Sequence, residues 1–133
     1  MLTLAGVPAA AHEARVLLRS WLTARTCTED AIETAELLLT EVVANAIRHT
    51  DSDTLQLTAA HDGQLVRVEV RDCSPTPPQP PPEQVDPERA GGRGVWLVQR
   101  LSNAWGWSPV PGGKQVWFEL ACSSTAPRAG HGW

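Results

Sequence analysis

The segment TEDAIETAELLLTEVVANAIRH, residues 28–49, contains neither glycine nor proline, and its apolar residues Ile32, Ala35, Leu39, Val43 and Ala46 recur at steps of 3, 4, 4 and 3. That spacing lines one face of a helix and obliges the rest of the chain to supply a core for it. Thr28 precedes the acidic pair Glu29 and Asp30. It reads as the N-cap, with negative charge in the first turn where the peptide dipoles favour it. An earlier helix is expected over residues 9–25, after Pro8.

Beyond Asp51-Ser52-Asp53 the apolar period changes to two. Leu55, Leu57 and Ala59 alternate with polar residues, His61-Asp62-Gly63 makes a turn, and Val66, Val68 and Val70 alternate again, so residues 55–71 predict an antiparallel hairpin. Residues 73–92 hold seven prolines between Pro75 and Pro87 and show no apolar period. A short helix over 94–101 and a second hairpin, with strands at 103–107 and 115–120 joined by SPVPGGK, complete the pattern. MLTL reads as an N-terminal strand and residues 123–133 as a disordered tail.

This order predicts an α+β two-layer sandwich with helices packed on one face of a mixed, mostly antiparallel sheet. At 133 residues the chain fits one domain, residues 1–122. Too little follows residue 92 to form a second domain, so the proline-rich stretch reads as a lid and not as a linker.

Composition narrows the function. The net charge is −4, from 11 basic and 15 acidic residues, and the basic residues are scattered, which argues against an electrostatic grip on nucleic acid. The apolar runs are far shorter than the roughly 20 residues that span a bilayer. No basic lead-in opens the chain, so a cytoplasmic location is expected. Cys27, Cys73 and Cys122 lie far apart without metal-ligand spacing, and their odd number suggests free thiols. The six tryptophans read as core and edge packing.

Four places could carry chemistry. On the long helix, at about 100° per residue from Leu39, Glu41 falls near 200°, Asn45 near 240° and Arg48 near 180°. They point away from the expected sheet, either as a solvated outer face together with His49 or as one wall of a site. The apolar Leu38 and Val42 beside them suggest that something covers part of this face. Asp72 ends a strand, where its carboxylate could accept from a ligand's amino group or simply cap the turn before Ser74-Pro75. Gly91, Gly92 and Gly94 open a helix and would let backbone N–H groups approach a phosphate. Lys114 could reach a terminal phosphate or be a solvated turn lysine.

In order along the chain, TEVVANAIRHT, VEVRDCSP, GGRGVWLVQRLSNAWGW and GGKQVWFEL resemble the Bergerat ATP-binding fold of the gyrase, histidine-kinase and MutL superfamily. They are more closely similar to small actinobacterial anti-sigma-factor serine/threonine kinases. The resemblance covers residues 9–120 and implies ATP and Mg²⁺ as ligands. It implies that Glu41 is the general base and Asn45 the Mg²⁺ ligand. Asp72 would be the reader of the adenine amino group. Gly92, Arg93, Gly94 and Lys114 would contact the nucleotide. It further implies a sigma factor and a STAS-type anti-anti-sigma protein as partners, and a possible homodimer using the N-terminal strand and Trp21. Ser74-Pro75 stands where the superfamily has a glycine, and Gln115 stands where many relatives have threonine. A non-catalytic, nucleotide-gated protein-binding module is the alternative reading.

Overall fold

The computed structural model describes residues 2–5, 9–49, 54–62, 64–74 and 101–123. Two helices, α1 (Ala9–Ala24) and α2 (Glu29–His49), and five strands, β1 (Leu2–Ala5), β2 (Thr54–Asp62), β3 (Leu65–Asp72), β4 (Ala104–Val110) and β5 (Gly113–Ala121), lie among them. The strands form one sheet in the order β1-β2-β3-β5-β4. Each pairing is antiparallel, so the parallel component allowed by the expected mixed sheet is missing among the described residues. The expected lid at 73–92 lies outside the described set past Ser74; so do the short helix, save for the helical Leu101, and the tail past Ser123.

Period-two alternation decides which strand side meets the helices. Leu55 and Leu57 from β2, Val66, Val68 and Val70 from β3, and Val116, Phe118 and Leu120 from β5 are buried. Against them pack Ala10, Ala14, Leu18 and Leu22 of α1 and the stripe of α2. The end of α2 forms as its sequence dictates. Thr28 Oγ1 accepts from the Ala31 N–H at 3.2 Å, and its carbonyl accepts the Ile32 N–H at 3.0 Å. The second hairpin is tighter than SPVPGGK suggests: Val110 pairs with Gly113, leaving Pro111-Gly112 as a two-residue turn with Gly112 at φ 82°. Proline fixes the first turn position and glycine tolerates the second. Pro109, within β4, lacks an N–H to give, which an edge strand accommodates.

Helix α1 is tied to α2 by Arg19, which pairs with Glu36 at 2.6 Å and Glu29 at 2.9 Å. Its bonds to Glu36 and then Glu29 raise the Arg19 pKa, and the same contact lowers that of Glu29. On the helix-free face Trp117 lies over Gly106, where a Cβ would collide with the indole. Arg67 stacks on that ring at 4.0 Å. Burial works to lower the pKa of Arg67, yet its bonds to Glu69 and Glu119 hold it above the ordinary value.

The expectation of free thiols fails for two of the three cysteines: Cys27 and Cys122 form a disulfide. Thr28 donates its N–H to the Cys122 carbonyl at 3.0 Å and Cys122 donates to Gln64 at 2.6 Å. These bonds bring the α1–α2 junction against the end of β5, with Cα atoms 4.8 Å apart, inside the range a disulfide bridges. Cys73 is exposed and outside the bridge. The cross-link closes a span of 95 residues, and loops of that length lose much unfolded-state entropy when closed. Reduction, or Cys27→Ser, is therefore expected to lower the free energy of unfolding by about 2–4 kcal/mol. The check is the urea midpoint of oxidised against reduced protein; coincident midpoints would refute it.

Candidate functional site

Asp72 is the last residue of β3, and the register sets it directly opposite Lys114 of β5. Both continue the helix-facing alternation, Asp72 after Val70 and Lys114 before Val116. Two charged side chains thus end two core stripes. Lys114 Nζ lies 2.9 Å from Asp72 Oδ2, with side-chain exposures of 3% and 1%. Asp72 Oδ1 accepts the Ser74 N–H at 2.8 Å. The turn-capping role is therefore real, but it uses only one carboxylate oxygen. The alternative of a solvated Lys114 is overturned.

Gly113 allows this approach. A Cβ there would run into the carbonyl oxygen of Asp72, so only glycine lets β5 pass close enough to seat Lys114 beside the carboxylate. Removing two ions from water costs several kcal/mol each, and a well-packed apolar pair would serve stability as well or better. A buried charge pair at the open end of two strands is consequently a candidate for recognition, not for packing.

Of the two readings of the Asn45 face, a solvated surface does not hold for Asn45 itself: this flank of α2 is covered, as the neighbouring Leu38 and Val42 suggested. Asn45 is buried at 8% exposure, and Ala31, Leu38 and Val42 on the same flank of α2 are buried with it. The opposite flank is engaged by α1, where Arg15 donates to Thr40 at 3.3 Å and Arg19 to Glu36. Helix α2 is thus covered on two flanks as well as beneath. Glu41, one turn before Asn45, is half-buried. The side chains of Arg48 and His49, expected on the outer face, lie outside the described set, as do Gly91, Gly92, Arg93 and Gly94.

Helix α2 packs on β3 and β5, and its start is pinned to Cys122, which bonds to Gln64 just before β3 begins. From Glu29 to Asn45 the helix rises about 24 Å; from Leu65 to Asp72 the strand advances about 23 Å. Counted from that shared anchor, Asn45 and the Asp72–Lys114 pair lie at similar distances along their elements. Among the described residues no three His, Cys, Asp or Glu side chains cluster as a metal site. An ion at Asn45 would take most of its ligands from phosphate and water, with the amide oxygen a suitable hard donor.

Two helices packed on an open, five-stranded antiparallel sheet are the architecture of the Bergerat ATPase fold. The chain belongs to the histidine kinase-like ATPase domain family, whose model matches residues 4–120. Its fold is similar to that of the RsbU and RsbW domains of Rv1364c from Mycobacterium tuberculosis, with a TM-score of 0.65 at 21% identity over 90% of this chain. It covers 32% of that chain, about a third of its length. A histidine kinase domain from the Erythrobacter litoralis EL346 blue-light activated histidine kinase aligns over 70% of this chain and 45% of that one, at 28% identity and TM-score 0.47. No curated protein matches the chain in sequence. No helix among the described residues is long and apolar enough to cross a membrane.

Proposed function

We propose that the protein is an ATP- and Mg²⁺-dependent regulator of the anti-sigma-factor kind, which holds a sigma factor and phosphorylates a serine or threonine of a STAS-type antagonist. What supports this reading is the buried Asp72–Lys114 pair ending two core strands, with Asn45 also buried on α2, in a chain of the histidine kinase-like ATPase domain family. In this reading Asp72 accepts from the adenine amino group and Asn45 offers its amide oxygen to Mg²⁺. Gly92 and Gly94 leave room for backbone amides at the phosphates, with Arg93 adding charge. Mg²⁺ neutralises phosphate charge when bound. Glu41, only half-buried, remains open to an incoming hydroxyl. It takes that proton as the hydroxyl oxygen bonds to the γ-phosphorus and the bond to the bridging oxygen breaks, releasing ADP.

The first test is calorimetric titration with ATP, with and without Mg²⁺. Mg²⁺ should tighten binding, and Asn45→Ala should lose that increment, roughly tenfold or more in Kd, equivalent to about 1.4 kcal/mol per tenfold. Absence of an ATP response, or a Mg²⁺ effect untouched by Asn45→Ala, would reject the reading.

A further inference from the structure

Resting on the proposed adenine site, we propose that Lys114 is a specificity-determining residue: its ammonium donates to N1 of adenine while the neighbouring Asp72 carboxylate accepts from the N6 amino group. The observation is the pair itself. Lys114 Nζ and Asp72 Oδ2 stand 2.9 Å apart, donor beside acceptor, on adjoining strands of the helix-facing side. An adenine edge presents the complement, an amino donor next to a ring-nitrogen acceptor, and the two can meet side by side.

Both groups have capacity left. A carboxylate offers about four lone-pair sites and an ammonium three N–H donors. Asp72 gives one oxygen to the Ser74 N–H and the other to Lys114, and the contact to Asp72 uses one of the three ammonium donors. The ammonium therefore keeps donors to spare beside the group that reads the base. At side-chain exposures of 3% and 1% whatever covers the pair must give way for a base to reach it, and a base that then takes this place meets buried groups, where a mismatched donor or acceptor is left unpaired at full cost.

The chemistry separates the purines. In the pose that gives N6 to Asp72, a 6-oxo purine sets a carbonyl oxygen against the carboxylate and an N1–H against the ammonium. Both contacts are then wrong. A carboxylate alone would supply only half of that rejection, and Lys114 supplies the other half. The ion pair stays formed when nucleotide binds, so neither charge is stranded.

The experiment is calorimetry of the whole chain with ADP, 1-deaza-ADP, which lacks the N1 acceptor, and 7-deaza-ADP, which keeps it. Wild-type protein is expected to bind 1-deaza-ADP roughly ten- to a hundredfold more weakly than ADP, the range for a hydrogen bond to a charged group, and 7-deaza-ADP nearly as well as ADP. In Lys114→Met the ADP preference over 1-deaza-ADP should vanish. Should that variant fail to fold, the wild-type analogue series decides by itself. Equal binding of ADP and 1-deaza-ADP by wild type overturns the Lys114 role and leaves the adenine site standing. An unchanged preference in Lys114→Met, or tighter ADP binding by it, overturns the role as well, the latter making Lys114 a plug. If wild type binds no ADP, the site and the inference fall together.

Discussion

Asp72→Ala is expected to lower the free energy of unfolding by about 3–5 kcal/mol, the cost of stranding one partner of a buried ion pair. The loss should exceed that of a typical point substitution, because the ammonium of Lys114 has no water to turn to at 3% exposure and the Ser74 N–H loses its acceptor. Replacing both partners tests the cause. Asp72→Leu with Lys114→Met removes both charges, and the double variant should recover most of the loss, since an apolar pair of similar volume is often neutral or better. Guanidinium midpoints at constant m-value measure the three proteins. A double variant as unstable as Asp72→Ala would show that packing, not charge, holds this corner. Under the proposed function the double variant also loses its nucleotide response despite its regained stability, which separates recognition from folding.

Glu41→Ala should leave both stability and ATP affinity nearly unchanged while phosphoryl transfer to a STAS-type substrate falls by about 10²–10⁴-fold, the usual contribution of a positioned general base. Half-burial on an otherwise regular turn of α2 supports the first half of this expectation. Transfer is followed with labelled ATP under single-turnover conditions, so that a change in product release does not mask the chemical step. Transfer at the wild-type rate would remove Glu41 from the mechanism. ATP binding by wild type without transfer to any such partner would favour the nucleotide-gated binding module instead.

Local signals were readable in the sequence and relations between distant segments were not. The cap at Thr28, the alternation of β3 and the stripe of α2 each depend on neighbours within a few residues, and each forms as its pattern dictates. The second hairpin is legible too, but SPVPGGK reads as a longer connection than the two-residue turn observed, because the edge position that lets β4 carry Pro109 is not written in the local pattern. For Asn45 the sequence left two readings open, a washed face or a covered one, and its burial favours the second. A helical wheel gives the angle of each side chain but not how many layers cover the helix, and α2 is covered on two flanks. The contact between Asp72 and Lys114 depends on β3 pairing with β5 and not with β4, a choice that chain order does not reveal. The Cys27–Cys122 bridge is hidden in the same way, since no spacing rule connects residues 95 positions apart.

That bridge makes residues 27–122 a covalent ring. A single peptide-bond cleavage anywhere between the two cysteines, including within the proline-rich stretch, leaves both fragments joined through sulfur. The nicked protein keeps its two halves at the mutual concentration of a single molecule, so cleavage in that stretch does not by itself separate Asn45 and Asp72 from Lys114.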